Sequence, residues 1–227
     1  MNIAVLGTGM VGRTLGGKLA GRGHDVVIGT RDVGELMART EPTKGGRLPP
    51  FAEWHKDNPG VRVDTFAGAA ALGQVVFLAT GGSVALEVLR SAEEDNLEGK
   101  VLIDVSNPLD FSHSPPALSV CNTESLGEQI QNAFPRTRVV KSLNTMNASV
   151  MADPRSVGGG DHHVFVSGDD ATAKETVIEL LREGFGWQHI IDLGDITTAR
   201  GTEMYLPLWL RAMQALGTPT FNVKLVV

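Results

Sequence analysis

Cysteine is almost missing from the sequence. The single residue of this type, Cys121, cannot form a disulfide within the chain, so the fold has to depend on its apolar core. No flanking signature supports a nucleophilic role for Cys121. A chain without disulfides suits a reducing compartment, and we expect a cytoplasmic protein.

Long apolar runs and basic stretches are missing as well. No run reaches the roughly 18 apolar residues that a membrane span needs, and the N-terminal run has the length of a strand with no basic region before it. We therefore expect neither a transmembrane helix nor a signal peptide. The formal net charge is −6 and no basic stretch offsets it, so nucleic-acid and membrane partners are not expected.

The usual signatures of side-chain catalysis are also absent. The sequence has no Ser-His-Asp signature, no Cys-His cluster and no zinc-ligand spacing. His162 and His163 are adjacent and follow three glycines, so we interpret them as loop residues and predict no metal site. A chain without a nucleophile or a metal is typical of an enzyme whose bound cofactor carries the chemistry.

The first 31 residues contain the strongest positive signal. An apolar run at residues 3–6 is followed by a Gly-x-Gly-x-x-Gly turn, a helical pattern and a second apolar run at residues 26–28. In such a motif Gly7 makes the tight bend, Gly9 lets the backbone approach a pyrophosphate, and Gly12 lets the helix pack on the sheet. Because the flanking strands and helix are all present, the motif predicts a dinucleotide site at the helix N-terminus.

Short, fully apolar segments alternate with helical patterns along the rest of the chain. This alternation predicts an α/β fold: a Rossmann-like doubly wound parallel sheet with a small C-terminal α/β extension. Residues 41–60, rich in Pro, Gly and Lys, are expected to form a long connection with one helical turn. We place a boundary near residue 147. Residues 1–147 then form the dinucleotide-binding Rossmann domain, and residues 148–227 form a small domain that is expected to complete the binding cleft and to provide dimer contacts.

The C-terminal part carries its own helix signals. Asp169 and Asp170 are expected to cap a helix over residues 171–183, and Asp195 a final helix that runs to about Leu216. Pro207 predicts a kink in that final helix. The helix is apolar on more than one side, which favours packing against a second subunit in a homodimer.

The end of the second strand indicates which dinucleotide binds. NAD-selective sites place Asp or Glu there to bind the ribose 2′-hydroxyl, whereas this chain has Thr30 and Arg31. An arginine can clamp a 2′-phosphate through two parallel hydrogen bonds and can stack on adenine. We therefore predict NADP, although the charge of the neighbouring Asp32 partly offsets the attraction.

The chain resembles the NADPH:8-hydroxy-5-deazaflavin (coenzyme F-420) oxidoreductase family over nearly its whole length. The resemblance is carried by the glycine loop, Thr30 and Arg31, residues 104–108 and 141–146, and the final LPLWL and FNVKLVV segments. Residues 141–145 are also similar to the oxidoreductase domain of membrane ferric reductases. The chain departs from the deazaflavin enzymes at Gly81 and Gly82, where the family often has proline, at Asn144, where it shows histidine, and at Glu35, where it often has a second arginine.

The motifs and the resemblance together assign roles to the loops at the carboxyl ends of the strands. No side chain is assigned as catalytic. The expected cofactor-binding residues are Gly7, Thr8, Gly9, Met10, Val11, Gly12, Thr30, Arg31, Thr80, Gly81, Gly82, Asn107 and Pro108. The expected acceptor-binding residues are Asn144, Thr145, Met146, Leu206 and Pro207.

The resemblance implies a cytoplasmic homodimer that transfers hydride between NADPH and a small-molecule acceptor of deazaflavin or flavin type, with coenzyme F-420 as co-substrate. Two alternatives remain open at this point: a non-catalytic NADP(H)-binding sensor and a ferric or flavin reductase-like enzyme. A dehydrogenase of small organic substrates would need a positioned acid or base, for which Lys141 is the one candidate.

Overall fold

A long, mostly parallel sheet forms the framework of the computed structural model, which describes residues 1–43 and 48–227. Its strands are β1 Asn2–Leu6, β2 Asp25–Thr30, β3 Val61–Thr65, β4 Val75–Leu78, β5 Val101–Asp104, β8 Arg138–Ser142, β9 His163–Ser167 and β10 His189–Asp192, and a separate hairpin pairs β6 Leu109–Asp110 with β7 Ala117–Leu118. The eight strands follow the order β10-β9-β8-β5-β4-β1-β2-β3. All neighbours in this sheet are parallel except β8 and β9. The structure therefore confirms the predicted Rossmann-like α/β fold.

Helices cover both faces of the sheet. They are α1 Met10–Gly21, α2 Val33–Ala38, α3 Phe51–Asp57, α4 Phe66–Leu72, α5 Ala85–Ser91, α6 Glu94–Leu97, α7 Leu126–Ala133, α8 Ala148–Ala152, α9 Ala171–Leu180, α10 Ala199–Met204 and α11 Leu206–Leu216. Of the two predicted caps of α9, Asp170 is confirmed, because its carboxylate accepts a hydrogen bond from the Ala173 N–H at 2.8 Å. Asp169 does not cap this helix, since its carboxylate accepts from the Ile196 N–H at 3.0 Å. Within the described ranges, no helix is long and apolar enough to cross a bilayer.

The apolar core is split by the sheet into two layers. Ile3 and Val5 of β1 point into one layer with α1, α8 and α9, whereas Ala4 and Leu6 point into the other with α4, α5 and α7. All four side chains are fully buried. A strand covered on both faces has to be apolar at every position, which is why its sequence is a continuous apolar run.

Two local expectations are corrected by the structure. The final helix is not one kinked helix but two helices, since α10 ends at Met204 and Pro207 lies in the first turn of α11, where the missing N–H costs nothing. His163 is not a loop residue: it opens β9, and its N–H donates to the Val223 carbonyl at 2.9 Å.

The connection predicted for residues 41–60 contains α3, and residues 44–47 of it lie outside the described residues. The C-terminal strands β9 and β10 extend the same sheet through the β8–β9 pairing. The division into residues 1–147 and 148–227 stays a prediction.

Candidate functional site

The glycine loop between β1 and α1 is tight on its protein side and open on the other. A Cβ on Gly7 would lie 2.4 Å from the Ala79 carbonyl oxygen, and a Cβ on Gly12 would lie 2.0 Å from the Gly7 carbonyl oxygen. A Cβ on Gly9 would meet nothing within 4 Å. Gly9 caps α1 without a side-chain hydrogen bond, so the first N–H groups of the helix are not satisfied by a cap. This geometry fits a pyrophosphate at the open side of the loop.

A buried arginine, Arg13, supports this loop, although the sequence analysis does not predict it as a site residue. The Arg13 Nε–H donates to the Thr8 carbonyl oxygen at 2.9 Å, Nη1 donates to Pro49 O at 2.7 Å, and the guanidinium lies 5.1 Å from the centre of the Phe51 ring. Desolvation lowers the pKa of Arg13. These hydrogen bonds go to carbonyl oxygens, so the cation is not neutralised by them. An arginine directly after the third motif glycine was the available signal.

Thr30 and Arg31 lie at the end of β2, where the sequence predicts the 2′-phosphate site. Thr30 is buried, whereas the Arg31 side chain is 76% exposed and makes a long 3.4 Å contact with Glu87. The charge of Asp32 is engaged, because its Oδ1 accepts the Glu35 N–H at 2.7 Å as the cap of α2. Arg31 is therefore free to turn towards an anion.

A first cleft, of about 500 Å³, lies beside the glycine loop. Thr8, Gly9 and Arg13 line it on one side, and Arg39 and Thr43 lie on the other. Arg39 forms an ion pair with Glu35 one turn earlier. Glu35 stands where the family often has an arginine, and Arg39, one helical turn later, brings an arginine to the cleft instead.

A second cleft, of about 430 Å³, opens where the carboxyl ends of several strands meet α11. Most of the residues predicted in the loops after β4, β5 and β8 and in the final helix line it, namely Thr80, Gly81, Gly82, Asn107, Asn144, Met146 and Leu206. Met10 and Val11 of the glycine loop, predicted at the pyrophosphate, line it as well. Ser83, Ser106, Asn147 and Trp209 also line it and were not predicted. The crevice at the strand ends is thus where the topology requires it.

Three of the residues predicted in these loops and in the final helix do not line this cleft. Pro108 is buried next to Asn107, and Pro207 is exposed on α11. Thr145 instead lines a separate, largely apolar cavity of about 240 Å³ together with Phe165, Tyr205 and Leu225.

Two asparagines join the loops that follow β5 and β8. The Asn107 side-chain amide donates to the Asn144 carbonyl oxygen at 2.8 Å, and the Asn144 amide donates to Asn107 Oδ1 at 3.0 Å. A Cβ on Gly82 would lie 2.1 Å from the Asn107 carbonyl oxygen, so the loop after β4 packs directly on this pair. Three loops therefore form one rigid floor for the cleft.

The lining of the second cleft contains hydroxyl, amide and apolar groups. No Asp, Glu, His, Lys, Arg, Cys or Tyr side chain from the described ranges lines it. The Thr80 hydroxyl and the Trp209 indole N–H are buried and have no hydrogen-bond partner among residues 1–43 and 48–227. Such a surface can bind and orient a planar polar ring, but it offers no acid or base.

A buried ion cluster lies directly behind the cleft floor. Lys141 Nζ contacts Asp104 Oδ2 at 2.6 Å and Glu203 Oε1 at 2.7 Å, and it donates to the Ser106 carbonyl oxygen at 2.9 Å. All three charged side chains are at most 2% exposed. Burial by itself would lower the pKa of Lys141, but the two carboxylates outweigh burial and raise it. Lys141 thus stays charged and is engaged, which removes it as an acid–base candidate.

Comparisons with known proteins agree with this geometry. A family model described as coenzyme F420-dependent NADP oxidoreductase matches residues 2–108. The F420-dependent NADP reductase of Methanothermobacter marburgensis is 30% identical over 213 residues, which cover 92% of this chain and 90% of that enzyme. The metalloreductase STEAP3 of Rattus norvegicus is also 30% identical, over 91% of this chain, but the chain spans only 37% of that protein.

Solved structures extend the agreement to the whole chain. A crystal structure from Arthrobacter sp. FB24, named for an F420-dependent NADP-reductase, has a TM-score of 0.95 and 55% identity over 99% of both chains. The protein SMa0349 from Sinorhizobium meliloti, at 21% identity and a TM-score of 0.66 over 87% of both chains, shares the fold. The chain belongs to the coenzyme F420-dependent NADP oxidoreductase family, a family of NADP-dependent enzymes.

Proposed function

We propose that the chain transfers hydride between NADPH and a deazaflavin of the coenzyme F420 type. The observation that carries this proposal is the second cleft, which begins at the glycine loop, ends at α11 and has no titratable side chain in its described lining. A hydride transfer between two planar rings needs stacking and orientation rather than a protein acid or base. Family membership and the cleft therefore point to the same chemistry.

The glycine loop is proposed to bind the pyrophosphate. Gly7, Thr8, Gly9, Met10, Val11 and Gly12 form this loop and the first turn of α1. The open side of Gly9 and the uncapped N–H groups of the helix support the assignment. The cation of Arg13, buried directly beneath the loop, adds a positive field and holds the Thr8 carbonyl away from the phosphate side.

Thr30 and Arg31 are proposed to bind the 2′-phosphate. The guanidinium of Arg31 is exposed and weakly engaged, and Thr30 adds a hydroxyl. Arg39 lines the adjoining cleft and is a further candidate for the same phosphate. This cluster supports NADP rather than NAD.

The nicotinamide end is proposed to lie on the part of the floor formed by Thr80, Gly81, Gly82 and Asn107. The predicted role of Pro108 stays a prediction, because Pro108 does not line the cleft. When bound, NADPH supplies two electrons and a proton as hydride, and the acceptor takes up one further proton. That proton comes from solvent, since the described lining has no titratable group. The Thr80 hydroxyl has unused hydrogen-bonding capacity beside this floor.

The acceptor side is proposed to be shaped by Asn144, Met146 and Leu206. Trp209, stacked on Phe221 with 5.5 Å between the ring centres, adds a flat apolar wall that suits a tricyclic ring. The predicted acceptor roles of Thr145 and Pro207 stay predictions, because neither side chain lines this cleft.

A stopped-flow experiment tests the function. NADPH and the purified protein are mixed with one acceptor at a time: coenzyme F420, FMN or a ferric chelate. The oxidation of NADPH is followed by its absorbance. We expect rapid oxidation with the deazaflavin and slow or no oxidation with the others. Oxidation with FMN or the chelate but not with the deazaflavin would contradict the proposed acceptor. Binding without oxidation by any acceptor would favour a non-catalytic NADP(H) sensor.

A flavin or ferric reductase is the second candidate function. It is favoured by the 30% identity to STEAP3, which is named as a metalloreductase. The chain spans 37% of that protein, so the likeness concerns only this part of it. The chelate arm of the stopped-flow experiment separates the two candidates.

Homodimer formation and a cytoplasmic location are also proposals. Leu208 and Leu216 of α11 are 64% and 61% exposed, which supports a further packing partner for this helix. Sedimentation analysis tests the dimer. The single cysteine, Cys121, is free and exposed, which suits a reducing compartment.

A further inference from the structure

The ion cluster of Lys141, Asp104 and Glu203 does not balance its charges. Asp104 Oδ1 accepts from the Ser106 N–H and O–H, and Oδ2 accepts from Lys141. Glu203 Oε1 accepts from Lys141 and the Gly127 N–H, and Oε2 accepts from the Leu126 N–H. Every carboxylate oxygen thus accepts at least one hydrogen bond from a buried donor. One ammonium and two carboxylates leave one net negative charge.

The N-terminus of α7 offsets part of the Glu203 charge. The N–H groups of Leu126 and Gly127 belong to its first turn, where the helix dipole is positive. Among the described residues, the partners of the Asp104 carboxylate are Ser106 and Lys141, and neither lies in the first turn of a helix. The uncompensated charge is therefore centred towards Asp104, on the side of the cluster that faces Ser106.

Ser106 connects the cluster with the second cleft. Its hydroxyl donates to Asp104 Oδ1 at 2.6 Å and its carbonyl accepts from Lys141 at 2.9 Å, while the residue itself lines the cleft. No charged side chain of the described ranges lines that cleft, so the cluster is the charge that Ser106 brings close to it. A charge buried this close is screened little by solvent or salt, so it acts on whatever occupies the cleft.

We propose that this net negative charge stabilises the oxidised nicotinamide over the reduced one, so that Asp104, Lys141 and Glu203 set the relative affinity of the chain for NADP⁺ and NADPH. The oxidised ring carries a positive charge and the reduced ring is neutral, so only the oxidised ring gains from the cluster. The inference rests on the proposed function, because that function places the nicotinamide beside Ser106 and Asn107.

Two substitutions test the charge. Asp104→Asn and Glu203→Gln each remove one negative charge with little change in volume, from β5 and from α10 respectively. The dissociation constants of NADP⁺ and NADPH are measured by calorimetry for each variant and for the parent. We expect the ratio of the NADP⁺ constant to the NADPH constant to rise about tenfold in both variants, the effect of one charge acting over about 10 Å at an effective dielectric constant of about 20.

The control is Glu128→Gln. Glu128 is also a buried carboxylate, but its partner Arg200, whose Nε lies 2.8 Å away, has a side chain that is 35% exposed. Solvent therefore screens the charge that the substitution leaves behind, and we expect the nucleotide ratio to change much less than in the cluster variants. A rise equal to that of the cluster variants would show that the effect is general and would overturn the inference.

The ratio separates a charge effect from loss of structure. A merely structural role would weaken both nucleotides alike and leave the ratio at the parent value, which would refute the inference. If the parent binds neither nucleotide, the proposed function fails instead. Circular dichroism checks that each variant folds. If one of Asp104→Asn and Glu203→Gln does not fold, the nucleotide ratio of the other variant tests the inference, because the two residues lie on different elements.

Discussion

Replacing Lys141 by methionine should destabilise the chain more than most single substitutions. Methionine keeps the length and most of the volume of the side chain but removes the ammonium group. Asp104 and Glu203 then face each other without their shared counter-charge, and the Ser106 carbonyl loses a donor. All of these groups are buried, so water cannot replace the lost contacts.

The magnitude follows from the burial of the cluster. Removing one partner of a buried ion pair costs about 3–5 kcal/mol, because the remaining charge is left uncompensated. In a chain of this size each kcal/mol corresponds to about 2–4 °C in Tm. The Lys141→Met variant should therefore unfold roughly 6–20 °C below the parent.

Thermal unfolding followed by circular dichroism measures this difference, with Lys224→Met as the control. Lys224 Nζ also pairs with a carboxylate, Asp161 Oδ2, at 2.5 Å, but the two side chains are 48% and 60% exposed. An exposed pair contributes about 0–1 kcal/mol, so the control should lose no more than about 4 °C. Equal losses in the two variants would refute the claim that burial makes the Lys141 cluster costly to break.

The pH dependence provides a second check on the same variant. In the parent, the raised pKa of Lys141 means that its contribution is fully present below the unfolded-chain pKa of about 10.4 and is lost only as pH rises through the higher folded value. Lys141→Met has no group that titrates at this position. The difference in Tm between the two proteins should thus stay constant from pH 7 to about 10 and shrink at higher pH. A difference that shrinks well below about pH 10 would contradict the account.

Three further predictions concern the phosphate site, the cleft floor and the acid limb of stability. Arg31→Ala should weaken NADPH binding about tenfold and leave NADH binding unchanged; equal loss of both would remove the 2′-phosphate role. Gly82→Ala should lower the free energy of unfolding by about 1–3 kcal/mol, because the new Cβ would lie 2.1 Å from a backbone carbonyl oxygen, whereas Gly81→Ala, which meets nothing within 4 Å, should not. Hydrogen bonds from Arg200 lower the pKa of Glu128, so their stabilisation is present above about pH 4.3 and is lost as pH falls through the lower folded value. The Tm of Arg200→Gln and of the parent should therefore converge in acid, and a difference that persists there would exclude this pair as its source.

The sheet could be predicted from the sequence because each central strand is buried on both faces. The run at residues 3–6 is apolar at every position, and each of its side chains enters one of the two core layers. The glycines of the motif were equally readable, since Gly7 and Gly12 sit where any Cβ would collide with backbone. Both requirements act on a few consecutive residues, so they can be recognised in the sequence as an apolar run and as a glycine motif.

Other features depend on contacts between distant parts of the chain and could not be predicted. Lys141 reads as one polar residue in a strand, and its role becomes clear only when α10 brings Glu203 to it and β5 brings Asp104. From the sequence, Arg13 is expected to lie on the surface of α1, whereas in the structure it contacts Pro49 and Phe51. The hairpin of β6 and β7 has two residues in each strand, too few for any periodicity to show.

The division between a neutral cleft and a charged support behind it has a physical reason. A titratable group inside the lining would be desolvated by two stacked rings and would change its protonation with each ligand. The cleft instead presents amides and hydroxyls such as Asn107, Asn144 and Thr80, whose hydrogen bonds do not depend on pH. The charges that hold its floor are placed behind it, at Lys141 and its two carboxylates, where they are paired with one another. The buried ion cluster thus provides the rigidity and the electrostatic bias of the floor, and the neutral side chains of the lining orient the rings.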